Sequence, residues 1–322
     1  MRFLHNVNID FLSKRKIFYI VSAVVIVIGF SIFLIRGINL GIDFKGGTEV
    51  LVRFQNDVPI QSVREAMDKS GLIGSEIKTM GSEKDILIRS AEQGEGNIIS
   101  DKIKEAIKNN VPGNNFEVLR IDKVGPKIGK ELRTGAIYAT LFSLIAILIY
   151  LAFRFEFVYA LGAVIALFHD VLVTVGVVAM CEALFPALNL ELSLSMVAAF
   201  LTLIGFSTND TVIVFDRIRE NIKLYKNENI LNVMNKSINS TLSRTIITSG
   251  TVFLTVFILF LFGGEVNRSF AFTFLVGIIT GTYSSVYIAS ALVVDIKKWQ
   301  QKRKTAAGSL NPKTRTAAVT KA

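Results

Sequence analysis

Residues 17–35 read IFYIVSAVVIVIGFSIFLI, a run with no charged side chain, set between Lys14-Arg15-Lys16 and Arg36. It exceeds the roughly 7–15-residue core of a signal peptide, and no small-residue cleavage site follows it. At ~1.5 Å per residue a helix over this run crosses the ~30 Å hydrocarbon core of a bilayer. Further apolar runs lie at 133–153, 157–180, 192–215, 245–262 and 270–294. The expected fold class is therefore a polytopic α-helical membrane protein with six transmembrane helices.

Composition agrees with this reading. The 322 residues are 51% hydrophobic and 19% charged, whereas soluble domains carry about a quarter charged residues. A single soluble globule is excluded. The lone Cys181 rules out a disulfide framework, and Cys181 with His5 and His169 is too sparse for a thiolate or His-rich metal site. No metal and no cofactor are expected. The net charge of +10 is decided by its location. Lys14, Arg15, Lys16, Arg154, Arg217, Arg219, Lys223, Lys226, Lys236 and the cluster Lys297–Lys304 fall on one side of the spans. The connection 181–191 has no Lys or Arg, and 263–269 has only Arg268. Positive charge marks the cytoplasmic side, so both termini are expected there, facing anionic lipid headgroups. No separate basic domain with interleaved aromatics exists, so no nucleic-acid partner is expected.

The expected layout is a cytoplasmic N-terminus (1–16), the first span (17–35), an outside domain (36–132), spans at 133–153, 157–180 and 192–215, a cytoplasmic loop (216–244), spans at 245–262 and 270–294, and a basic disordered tail (295–322). In the outside domain, alternation predicts strands at 48–54, 76–80, 85–89 and 116–121. Helical spacing predicts helices at 60–70 and 98–109. The order βαββαβ is that of a small α+β ferredoxin-like unit. Gly41, Gly46 and Gly47 around Asp43 and Lys45 read as a hinge into it. Gly277, Gly281, Ser285 and Ala289 recur every fourth residue and predict close helix packing.

An ionisable residue inside an apolar span is a functional candidate by default. Asp210 stands about six residues inside the cytoplasmic end of the fourth span, roughly 9 Å deep. Arg244 opens the antiparallel fifth span, and its long side chain can reach inward to similar depth. Arg stays protonated, whereas Asp can carry a proton. Burial disfavours the charged carboxylate and a nearby cation favours it. A moving Arg244 is thus a charge switch for Asp210; a fixed one is a static interhelical partner. Asn209 lies about 100° around the helix from Asp210 and is read as a supporting hydrogen-bonding group. His169 and Asp170 sit mid-span, as relay groups or as structural partners of other spans. As adjacent helix positions they are not expected to face each other. Asp216, with Arg217, Arg219 and Glu220, reads as an interfacial charge cluster or an elbow into the next loop.

Six stretches carry a resemblance: GIDFKGGT (41–48), VGPKIG (124–129), HD (169–170), IGFSTNDTVIVFDRIREN (204–221), RTIITSG (244–250) and LFGG (261–264). With one outside domain between the first two of six spans, half of an RND-type bundle, the chain resembles the SecF family of bacterial protein export. Phe206-Ser207-Thr208 stands where many relatives carry Tyr-Ser-Leu, so Ser207 and Thr208 supply the nearby oxygens. The resemblance implies a multi-pass protein of the cytoplasmic membrane, a heterocomplex with SecD, and work beside the SecYEG translocon and YajC on secreted polypeptides. It also implies use of the proton-motive force in late translocation, with Asp210 and Arg244 as the relay pair and no enzymatic turnover. A non-conducting scaffold and an RND-type proton/small-solute antiporter are the competing readings.

Overall fold

The structure, a computed structural model, describes residues 8–309 apart from 38, 93, 95, 96, 112 and 114. His5, the rest of 1–7 and the 310–322 part of the expected tail lie outside the described residues.

The chain enters through a 3-10 turn, Leu12–Lys14, into α1 (Arg15–Arg36), followed by the one-turn helix α2 (Ile42–Lys45). Then come β1 (Gly47–Phe54), α3 (Ile60–Lys69), β2 (Glu76–Met80), β3 (Ser82–Ser90), α4 (Ile98–Asn110) and β4 (Phe116–Val124). The rest is helical: α5 (Pro126–Arg154), α6 (Phe157–Leu184), α7 (Leu194–Leu224), α8 (Ile230–Phe262), α9 (Gly264–Ser284), a π-turn (Ser285–Ala289) and α10 (Ser290–Ser309). Among the described residues, six helical segments are long and apolar enough to cross a membrane: Leu12–Arg36, Pro126–Arg154, Phe157–Leu184, Leu194–Leu224, Ile230–Phe262 and Val266–Arg303.

The strands form one antiparallel sheet in the order β2-β3-β1-β4, with Val50 opposite both Ile88 and Ile121. Alternation splits its faces. Val50, Val52, Phe54, Ile86 and Ile88 pack under Val63 and Met67 of α3 and Ile103 and Ile107 of α4. Glu49, Asp85 and Arg89 turn to the other face and are nevertheless buried: Arg89 bonds Glu49 and Glu191 of the connection between α6 and α7, and Asp85 pairs with Arg53 of the neighbouring strand.

In the bundle, α1 crosses α6 where Gly29 meets Gly176; a Cβ on Gly29 would collide with the Gly176 backbone. A Cβ on Gly281 would stand 3.0 Å from Ser207 Cβ, which sets α9 close on α7. α5 is peripheral and exposes Ile137, Phe142, Ile149 and Phe153.

Two expected boundaries are corrected. The 216–244 segment is not a loop: α7 runs to Leu224 and α8 begins at Ile230, leaving only 225–229 between them. The segment stays helical because its polar groups pair across the two helices, with Asn221 Nδ2 donating to Ser237 Oγ at 2.9 Å in a buried site. The expected disordered tail is helical through Ser309.

Candidate functional site

Among the described residues, two carboxyl groups are buried within the apolar spans, Asp170 of α6 and Asp210 of α7, at 1% and 3% exposure. Each lies on the inward stripe of its helix. Asp170 continues the buried series Ala163, Ala166, Leu167, and Asp210 continues Leu203, Ser207, the three- and four-residue spacing of one helical face.

Asp170 is surrounded by donors. Its Oδ2 accepts from Ser207 Oγ of α7 at 2.6 Å and from Ser284 Oγ of α9 at 2.8 Å. Its Oδ1 meets His169 Nδ1 at 3.0 Å. The other imidazole nitrogen, Nε2, lies 3.2 Å from Tyr283 Oη, which is 2.9 Å from Ser22 Oγ of α1. One hydrogen-bonded chain thus joins four helices. This corrects the expectation that His169 and Asp170 do not face each other. Their Cβ directions diverge, but the imidazole bends back until Nδ1 reaches the neighbouring carboxylate. The π-turn begins directly after Ser284, and such turns frequently mark functional sites.

Asp210 is the opposite case. It makes no ion pair among the described residues, and its Oδ2 is fully buried without a hydrogen-bond partner, the Thr245 hydroxyl being the one polar side chain close enough to favour the carboxylate by hydrogen bonding. Thr245 of α8 stands beside it, and the hydroxyls of Thr245 and Thr211 are likewise buried and unpartnered. Arg244 acts on the carboxyl through space only. It is exposed and lines a cavity of about 390 Å³ with Ile213, Asp216, Arg217, Glu220, Ser240 and Thr241. The two groups are brought near one another without pairing.

Asn209 is exposed and bonds no neighbouring helix among the described residues. Asp216 Oδ2 accepts from Arg154 Nη2 of α5 at 3.0 Å. Arg217 bonds Glu220 at 2.7 Å and Ser240 Oγ of α8 at 3.0 Å. The cluster ties the end of α5 to the bodies of α7 and α8.

Sequence reading missed Tyr283, Ser284 and Ser22, whose only signal is a polar atom in an apolar run. It also missed a charged centre at the outside domain. Arg89 Nη2 donates to Glu49 Oε2 and to Glu191 Oε2, each at 2.6 Å, and Lys78 Nζ donates to Glu191 Oε1 at 2.7 Å. Burial works against the Arg89 charge, but Glu191 and Glu49 outweigh it and hold the guanidinium above its ordinary range. Glu191 belongs to the connection before α7, so the sheet is ion-paired to the bundle.

Comparison with known proteins follows the same outline. Residues 102–299 match the family described as protein export membrane protein SecD/SecF, C-terminal, and residues 31–58 match the SecD/SecF GG motif. The chain is 45% identical to the protein translocase subunit SecF of Rhodothermus marinus, over 92% of this chain and 96% of that protein. It is 44% identical to the same subunit of Calditerrivibrio nitroreducens, over 92% and 96%. The crystal structure of SecDF, a translocon-associated membrane protein from Thermus thermophilus, is similar with a TM-score of 0.80 and 33% identity. That likeness covers 91% of this chain and 39% of the solved one, so the chain spans well under half of it.

Proposed function

The chain belongs to the SecD/SecF family of protein export membrane proteins, and from that premise we propose that it is the SecF half of a proton-driven export motor. The other half is a SecD protein, together with which it assists late movement of secreted polypeptides through SecYEG, with YajC as an associated subunit. In this reading the outside domain is a ferredoxin-like unit on the far side of the cytoplasmic membrane and both termini are cytoplasmic.

The observation that carries the proposal is the buried, unpartnered Oδ2 of Asp210 near Arg244, which makes no ion pair with it among the described residues. A charged carboxylate buried with one oxygen unpartnered is costly, so a proton offered to it is taken up. When Arg244 swings in from its cavity, the cation stabilises the carboxylate and the proton leaves on the other side. Arg244 stays charged throughout and carries no proton. One charge moving across 100 mV supplies about 2.3 kcal/mol, enough to bias a conformational equilibrium more than tenfold. Asp170 and His169 form a supporting polar chain, and Asp216 anchors the cytoplasmic end of the moving helices. Asn209, Gly205 and Gly250 are uncovered on α7 and α8; an intramembrane amide left open in this way suits a face that a second bundle covers.

Asp210→Asn keeps the shape and cannot ionise. In vesicles holding the chain with its SecD and the translocon, it is expected to abolish the increment in export that a proton gradient adds, while gradient-independent export persists. Native gradient-driven export in Asp210→Asn refutes the carrier and leaves a scaffold.

A further inference from the structure

The turn after α1 makes contacts that no hinge requires. Gly41 N donates to Leu192 O at 2.9 Å and Leu192 N donates to Asn39 O at 2.8 Å, an isolated parallel bridge centred on Leu40 and Leu192. Asp43 Oδ2 accepts from Leu194 N at 2.8 Å. Leu194 is the first residue of α7, the helix that carries Asp210. The same turn holds the outside domain through Lys45, 3.5 Å from Glu76 of β2. It also meets α5, where a Cβ on Gly129 would stand 3.3 Å from Phe44 O. Next to this joint, Glu191 is clamped by Arg89 and Lys78 of the sheet.

We propose that Asp43 is a positioning residue: it caps α7 from the root of the outside domain, so that domain and helix move as one strapped body. This rests on the reading of Asp210 as proton carrier. The first N–H groups of a helix have no partner within it, and an anionic acceptor there also meets the positive end of the helix dipole. Ser193, the residue before α7, serves only the Met196 N–H, at 3.3 Å. Leu194 N is left to Asp43, which comes from a segment 151 residues away in sequence. Asp210 lies sixteen positions along the helix, roughly 24 Å from the capped end at ~1.5 Å per residue. A shift or rotation of α7 at Asp210 is therefore delivered to Asp43, and through the Leu40–Leu192 bridge and the Arg89–Glu191 pair to the sheet.

The test uses the full chain with its SecD in vesicles. Cys181→Ser clears the background, and spin labels go on Ile73→Cys in the outside domain and Phe262→Cys at the end of α8, both highly exposed. Asp210→Asn, a mimic of the neutral acid, is expected to change the label separation. Adding Asp43→Ala removes that change, and Asp43→Ala alone lowers gradient-driven export about fivefold, the equilibrium weight of one lost cap. Asp43→Asn keeps an oxygen for Leu194 N and restores both. A separation change that survives Asp43→Ala overturns the strap and leaves the carrier standing. Native export in Asp210→Asn removes the carrier, and the strap with it. If Asp43→Ala does not fold, a Leu40→Cys/Leu192→Cys disulfide decides instead. Locking the strap shut leaves both readouts native; their loss on oxidation, reversed by reduction, overturns the proposal.

Discussion

Asp170 and Asp210 are equally buried and lie on helices that pack together, yet their surroundings differ in kind. Both oxygens of Asp170 have hydrogen-bond partners, two hydroxyls and an imidazole, whereas Asp210 Oδ2 has none among the described residues. A carboxyl with hydrogen-bond partners on both oxygens holds its helices in place. One with an oxygen left unpartnered has less tying it to a single position. The bundle thus separates a structural acid from a working one, and burial alone does not distinguish them.

The largest effect that tests this contrast is on stability. Asp170→Ala orphans Ser207, Ser284 and His169 in a buried site and is expected to cost about 3–5 kcal/mol, whereas Asp210→Ala is expected to stay within about 1 kcal/mol. Thermal unfolding in detergent measures both, and equal losses remove the distinction. Next comes Tyr283→Phe, which cuts the link between His169 and Ser22 while leaving Asp170 its three donors. It is expected to cost about 1 kcal/mol in the same measurement; a loss as large as that of Asp170→Ala moves the structural centre from the carboxylate to the phenol.

The smallest effect sharpens the contrast from outside the membrane. Burial opposes the Glu76 charge, but the hydrogen bond from Lys78 and the charges of Lys78, Arg89 and Lys45 prevail and hold its carboxyl below the ordinary 4.5. Burial likewise opposes the Lys78 charge, and Glu191 and Glu76 outweigh it, raising Lys78 above 10.5. The stability due to Glu76 is full above pH 4.5 and is lost as pH falls through its lowered value. That due to Lys78 is full below pH 10.5 and is lost as pH rises through its raised value. Glu76→Gln is expected to lower the unfolding temperature near pH 7, where the Glu76 contribution is full, and to flatten the acid limb below about pH 4.5, so that the two proteins converge as pH falls. An acid limb unchanged by Glu76→Gln assigns it to other carboxylates.

Much of this was legible in the linear order of residues. The apolar run at 17–35 reads as a span wherever it sits, and Val63, Ala66 and Met67 mark the buried face of α3 without knowledge of what covers it. Asp210 stood out as a lone acid in an apolar run. Its relation to Arg244 did not follow as directly. Depth along two antiparallel helices is a matter of counting, but rotation of α8 about its axis is set by packing, and it turns Arg244 toward the cavity with Asp216 and Glu220. The rule for neighbouring helix positions failed at His169 and Asp170 because it describes Cβ directions, and an imidazole is long enough to bend back.

Hydropathy, helical spacing and strand alternation depend on residues a few positions apart, so sequence by itself determined the six spans, the strand and helix order of the outside domain and the presence of an intramembrane acid. Which acid is partnered depends on groups on other helices, up to 114 positions away, and Asp43 reaches Leu194 and Arg89 reaches Glu191 across more than a hundred positions. Those pairs exist only once the helices have packed, and their geometry is therefore a property of the tertiary structure.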